Sequence, residues 1–351
     1  MTLKRVNINN MQSRGVTADT HQGNVVAGIG NVQVFVGTDV TPLLPVPRHY
    51  HGEVAGYTFG GINPTPYHTP NYSTIIDKFP FTSDQNATDA GDLTQSVSGH
   101  SNSSSDAHGY RAGGRVGPTP VTESNVIDKF PFANNYGSVD HGDLTDAVAY
   151  LSSGTYSTTH GYTMGGAYPN RSSIDKYSFG ANSNATDIGN LTSVVREGTG
   201  GVSGGNGYCI AGNRPGASNT MDRFPFSSDT NATDIGELTG GHGVYGYHSS
   251  QANSSDTHMH VTGGGNIPTI NAHTKFPFAA ETNQTDVGEL SVNPKHSGAS
   301  QNSATHGYIS GGYRPGTGTD TIQKFSFTSD HTDTDVGEIT EVRYETAGAQ
   351  A

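Results

Sequence analysis

The chain has 351 residues, 48 of them glycine, with one cysteine, no tryptophan and only 14% charged side chains, which excludes a coiled coil and a charged disordered tail. Its formal net charge is −13 without any basic run, so phosphate repels it and nucleic-acid binding is not expected. The single Cys209 rules out an internal disulfide, and no apolar stretch is long enough to cross a bilayer.

The first ten residues contain Lys4 and Arg5 but no apolar segment, so no secretory signal is expected. Residues 1–47 read as an arm and linker. Within them Val32, Val34, Phe35 and Val36 predict a short strand behind a Gly28–Asn31 turn, and Thr41–Pro47 (TPLLPVP) predicts a stiff extended linker. An apolar strand outside a closed domain must bury itself on its own domain or on a partner, and these four residues are the candidate partner-binding positions.

Residues 48–351 carry one pattern six times. Its first marker is a short run closed by Gly-Gly or Ala-Gly: Tyr57–Gly61, Tyr110–Gly114, Tyr162–Gly166, Tyr208–Gly212, His260–Gly264 and Tyr308–Gly312. The second is a strand bearing two rings two residues apart, hence on one face. These pairs are Phe79/Phe81, Phe130/Phe132, Tyr177/Phe179, Phe224/Phe226, Phe276/Phe278 and Phe325/Phe327, and they take eleven of the thirteen phenylalanines. They are the expected core, each ring worth roughly 1.5–3 kcal/mol when buried. Proline between the rings predicts a bulge or an outward-facing nitrogen.

The third marker is Asp-x-Gly-(Asp/Asn/Glu)-(Leu/Ile), as in Asp89–Leu93 and Asp335–Ile339, read as a polar turn feeding a fourth strand. Before four of the six runs stands His-Gly (His108, His160, His306) or Asn206-Gly207, read as hairpin turns that use positive φ.

Four short strands in each unit of about fifty residues describe a propeller blade. On these residues the chain resembles kelch repeats, although the tryptophan usual in a later kelch strand is absent. The resemblance implies an all-β, six-bladed β-propeller of four-stranded antiparallel blades. The last repeat ends at Ala347–Gln350 without a following Tyr-x-x-Gly-Gly run, whereas Tyr57–Gly61 supplies one near the start. One blade is therefore expected to combine strands from both chain ends, which removes the exposed sheet edges of an open array.

Chemistry is sparse in the sequence. His49/His51 and His258/His260 are closely spaced, but no Cys or carboxylate pattern completes a zinc site, so no metal is expected. Asp-x-Asn loops such as Asp84–Asp89 echo calcium loops without their sixth-position glycine or twelfth-position glutamate. No nucleophile elbow, metalloprotease helix or phosphate loop is present, so no catalytic residue, no cofactor and no enzyme activity are expected.

The repeats are similar to those of structural and uncharacterised proteins of marine phages, cyanobacterial phages included. That resemblance implies a non-enzymatic virion structural protein of a tail, fibre or capsid surface, made in the bacterial cytoplasm and present in several copies. Its partners would be other virion proteins through the arm and a host surface glycan. The alternative is a carbohydrate-binding adhesion propeller outside any virion, using loops such as Asn63–Tyr67 and Asn170–Ser173.

Overall fold

The computed structural model describes residues 19–21, 24–26, 51–64, 71–117, 120, 122–150, 152–214, 216–217, 219–238, 250–264, 271–280, 284–291, 298–314, 317–330 and 333–351. The chain divides into two compact units, Met1–Arg48 and His49–Ala351. In the first, Asp19–His21 pairs antiparallel with Asn24–Val26. The expected strand of Val32, Val34, Phe35 and Val36 lies outside the described residues.

The second unit is a six-bladed β-propeller of four-stranded antiparallel blades. Each blade has an inner, second, third and outer strand. Blade 1 is Ala347–Gln350, Ala55–Phe59, Ile75–Pro80 and Thr88–Asp92. Blade 2 is Ser101–Ser104, His108–Val116, Thr122–Pro131 and Val139–Asp143. Blade 3 is Ser152–Tyr156, His160–Met164, Ser173–Ser178 and Thr186–Asn190. Blade 4 is Thr199–Val202, Asn206–Ile210, Thr220–Pro225 and Thr233–Glu237. Blade 5 is Gln251–Ser254, His258–Thr262, Ala272–Pro277 and Thr285–Glu289. Blade 6 is Ala299–Asn302, His306–Ser310, Thr321–Ser326 and Thr334–Glu338.

Blade 1 joins the two ends of the ring, with Gly56 opposite Gln350 and Phe59 opposite Ala347. Arg343, fully buried, reinforces this closure. Its guanidinium donates to the carbonyls of Gly60 and Ile75 and pairs with the Asp77 carboxylate.

The repeated rings act between blades more than within them. In five of the six blades a second-strand tyrosine packs against both third-strand rings of the next. Tyr57 lies 5.7 and 4.8 Å from Phe130 and Phe132, and Tyr110 lies 5.9 and 4.6 Å from Tyr177 and Phe179. Tyr162 takes Phe224 and Phe226, and Tyr208 takes Phe276 and Phe278. Tyr308 of the last blade returns to Phe79 and Phe81 of the first, at 5.6 and 4.7 Å. Such pairs add about 0.5–1.5 kcal/mol each beyond area burial. The first ring of every pair is buried (Phe79, Phe130, Tyr177, Phe224, Phe276, Phe325), as is Phe132. Phe81, Phe179, Phe226, Phe278 and Phe327 are half-buried and cover the interface edge.

The small residue opposite each first ring is set by space. A Cβ at Gly56, Gly109, Gly161, Gly207 or Gly307 would stand 2.2–2.5 Å from the ring across the ladder. The His-Gly and Asn-Gly pairs are therefore strand starts, which corrects the turn reading. His108, His160, Asn206 and His306 open the second strands, and the true turn is closed by backbone bonds such as Ser105 N to His108 O. Blade 5 has Met259 in place of that glycine, and its thioether reaches the space over Gly201 of blade 4.

The third marker is also corrected. Asp-x-Gly is the outer strand itself, bent by a bulge, not a turn before it. The glycines sit at φ of +117° to +153°, and each aspartate accepts from the amide of its glycine, as Asp187 does from Gly189 at 2.9 Å. The third–outer loop of the next blade lies on this bulge, so a Cβ at Gly142 would meet the Ser183 carbonyl at 2.5 Å. Proline ends four of the six third strands (Pro80, Pro131, Pro225 and Pro277) and serine the other two (Ser178 and Ser326), and the second ring follows. The amide of that ring still bonds back, Phe226 N to Gly205 O at 2.9 Å.

A polar latch crosses the same interfaces. Thr340, Thr94, Thr145 and Thr192 donate to the third-strand carboxylates Asp77, Asp128, Asp175 and Asp222 of the next blade at 2.5–2.8 Å. Blade 6 has Gln323 at that strand position and moves the carboxylate to Asp333, which accepts from Ser291 Oγ at 2.9 Å and Gln323 Nε2 at 2.6 Å. The hydroxyl–carboxylate pairing survives although serine replaces threonine and the carboxylate has moved to another position.

Two features yield predictions. At the blade 5–6 interface His260 replaces the tyrosine and bonds His273 at 2.9 Å, both buried against Phe325 and Phe327. Burial lowers their pKa values to about 2 and about 4, below the unfolded value, so the native pair stays neutral. The unfolded chain takes up protons first as pH falls below about 6.5, and stability falls with it. His260→Tyr with His273→Ile should flatten the loss of stability between pH 6.5 and 4, measured by urea unfolding. Ala211 stands at φ +58° where other blades have glycine. A left-handed alanine costs about 1–2 kcal/mol, partly offset by the greater unfolded entropy of glycine, so Ala211→Gly should raise unfolding free energy by roughly 0.5–1 kcal/mol.

Candidate functional site

The strand order gives the ring two unlike faces. Inner–second and third–outer turns lie on one, and second–third loops and outer-to-inner connectors lie on the other.

The first face carries the strand-opening histidines and a belt of exposed ion pairs. Lys176–Asp229 and Lys275–Asp330 are 2.5 Å apart and Lys324–Asp84 is 2.8 Å, each joining neighbouring blades. Exposed pairs of this kind contribute about 0–1 kcal/mol each. Strand-opening histidines stand in four of the six blades, as His108, His160, His258 and His306. His51 pairs with Asp256 at 3.1 Å, and His260 is committed to His273. Among the described residues no group of three or more His, Cys, Asp or Glu side chains is placed to hold a metal ion.

The axis is narrow. Alternate inner-strand residues of all six blades line a cavity of about 20 Å³, among them Asn102, Tyr156, Val202, Ser254, Asn302 and Gln350. That is room for about one water. Gln350 Nε2 donates to the Tyr156 hydroxyl beside it, and Asn102 Nδ2 donates to the Gly348 carbonyl at 2.5 Å. The inner strands are further tied in sequence around the axis by Thr155 Oγ1 to Gly201 O at 2.7 Å and Asn253 Nδ2 to Gln301 O at 2.8 Å.

The second face is rich in tyrosine, and its axial mouth is the candidate site. Tyr150, Glu197 and Glu345 occupy one equivalent place, two residues before the inner strands of blades 3, 4 and 1. All three are left-handed, at φ +48°, +56° and +53°, and Gly99 holds the same place in blade 2 at +57°. Non-glycine residues in this region cost about 1–2 kcal/mol each, a strain that collects at functional sites. The strain is imposed by the residue before each one, which bridges to a second–third loop: Ala149 to Ala167, Arg196 to Asn213 and Tyr344 to Ile62. Backbone bonds link the connectors around the mouth, Gly99 N to Glu345 O and Glu197 N to Tyr150 O at 3.1 Å.

Side chains from three blades meet here. Arg115 of blade 2 donates to the Tyr150 hydroxyl, and its guanidinium lies 5.1 Å from the centre of that ring. Exposed Tyr168 packs 6.0 Å from Tyr150 on another side. Glu345 accepts from Ser98 Oγ through Oε2 at 2.9 Å. Burial pushes the Glu345 carboxyl up; the Ser98 bond opposes this, nearby Glu197 adds to it, and Arg115 opposes it. Tyr150 is pushed up to about 12, first by burial and then by Glu345. Tyr72, only 7% exposed, reaches over Gly117 of blade 2 and feels the charges of Arg115 and Glu345, yet among the described residues its hydroxyl has no hydrogen-bond partner.

Asn63 and Asn170, flagged in the sequence as sugar-contact loops, belong to this same face, and Asn63 Nδ2 donates to Glu341 Oε2 at 2.6 Å. The mouth residues themselves escape sequence reading because they stand outside the three repeated markers. The signal was a bulky Tyr or Glu recurring two positions before an inner strand, in connectors that otherwise differ. Comparison with protein-family models and with curated protein sequences finds no match for the chain.

Because the carboxyl pKa of folded Glu345 lies above its unfolded value, stability is fully present below the unfolded pKa and is lost as pH rises through the folded pKa. Glu345→Gln should therefore melt higher than wild type at pH 7, and the gap should close as pH falls toward 4, read by calorimetry.

Proposed function

We propose that this protein is a non-enzymatic structural component of a virion, with the propeller as a host-contact module and the N-terminal segment as its attachment to the particle. The contact surface is the tyrosine face. One observation carries the contact role: the axial mouth holds three non-glycine residues in left-handed backbone around a buried phenol without a partner among the described residues, an arrangement that costs folding energy. The unit Met1–Arg48 supports an attachment role, and the virion setting rests on the resemblance expected from the repeats.

A glycan-binding adhesion propeller outside any virion is the second reading, favoured by the exposed Tyr168 and Asn170 on the same face. The two separate by location. The first predicts the chain at fixed stoichiometry in purified particles, and a chain lacking residues 1–47 should fold but fail to incorporate. Incorporation of the truncated chain would contradict the attachment role, and particles without the chain would favour the second reading.

A further inference from the structure

The contact proposal leaves open what the mouth recognises, and the inference that follows rests on that proposal. We propose that Tyr72, Arg115, Tyr150, Tyr168 and Glu345 form a binding site for a neutral polyhydroxylated ligand, a sugar residue of a glycan chain.

The argument starts from unmet hydrogen-bonding capacity. A buried hydroxyl almost always has a partner, and leaving one without costs folding energy. The Tyr72 hydroxyl has none among the described residues, although its ring lies where Gly117 leaves room for it. Its charged neighbours are Arg115 and Glu345. Glu345 is engaged by Ser98 through Oε2, and among the described residues Oε1 remains to accept. Arg115 is engaged by Tyr150 through one terminal nitrogen, and among the described residues the rest of its planar fork remains to donate. The mouth thus offers an O–H donor, a carboxylate acceptor and guanidinium donors close together.

Charge selects the ligand class. Arg115 offsets Glu345, and Glu197 nearby adds a second carboxylate that repels an anion. A ligand whose adjacent groups each donate and accept satisfies all three partners, and vicinal hydroxyls do this. The apolar face of a sugar ring needs an aromatic surface, and Tyr168, 60% exposed beside Tyr150, supplies one. The left-handed backbone at Tyr150 and Glu345 fixes these groups before the ligand arrives, which lowers the ordering cost of binding.

The test uses the full-length chain on an array of neutral, sialylated and amino-sugar glycans, with titration of the bound ones. Tyr72→Phe removes one oxygen and keeps the ring. It should weaken neutral-glycan binding by about tenfold, the worth of one buried hydrogen bond, and should melt no lower than wild type. Binding unchanged in Tyr72→Phe, a lowered melting temperature for it, binding of charged glycans only, or no bound glycan at all would each overturn the site. Incorporation into particles is scored on the same variant. A chain that incorporates normally but binds glycan as wild type does sinks the site alone, whereas a wild-type chain absent from particles sinks the virion setting alone.

Discussion

The structure depends on one contact made six times: a ring from the second strand of one blade held against two rings from the third strand of the next. In five interfaces the inserted ring is tyrosine, and between blades 5 and 6 it is His260. A chain with 31% hydrophobic residues has too little apolar mass for a large common core. It builds several small clusters instead, most of them spanning two blades, such as Tyr57 with Phe130 and Phe132 or Tyr162 with Phe224. The circular order lets every cluster have two walls, because the last blade meets the first.

Other repeated features follow from that contact. Glycine opposite the first ring is a requirement of volume. The outer-strand bulge gives the neighbouring loop a place to lie, and the threonine–aspartate latch fixes the angle at which blades meet. Where a blade departs from the pattern, a second change answers the first. Met259 fills what Gly201 leaves open, and Asp333 supplies the carboxylate that Gln323 lacks. These pairs are what a physical constraint looks like when it is met by different residues.

The ring was legible in the sequence because the residues that build it are large, periodic and few. Phenylalanine is scarce outside the paired slots, so its spacing exposes the third strands, and the incomplete last repeat exposes the closure. The turn assignments were misread for a physical reason. His-Gly, Asn-Gly and Asp-x-Gly look like turns when glycine is taken as a conformational signal, but Gly207 answers a ring across the ladder and Gly189 a bulge within a strand. The mouth was not legible, since Tyr72, Arg115, Tyr150 and Glu345 come from different blades and share no motif. Only the fold brings together residues so far apart in the chain.

The central claim is that the aromatic succession closes on itself. It is tested most directly by nuclear Overhauser effects between the ring protons of Tyr308 and Phe81, which are distant in sequence and 4.7 Å apart between ring centres. The closed ring predicts strong cross-peaks there, comparable with those between Tyr110 and Phe179. Their absence, with the Tyr110–Phe179 peaks intact, would mean an open array of blades and would contradict the account.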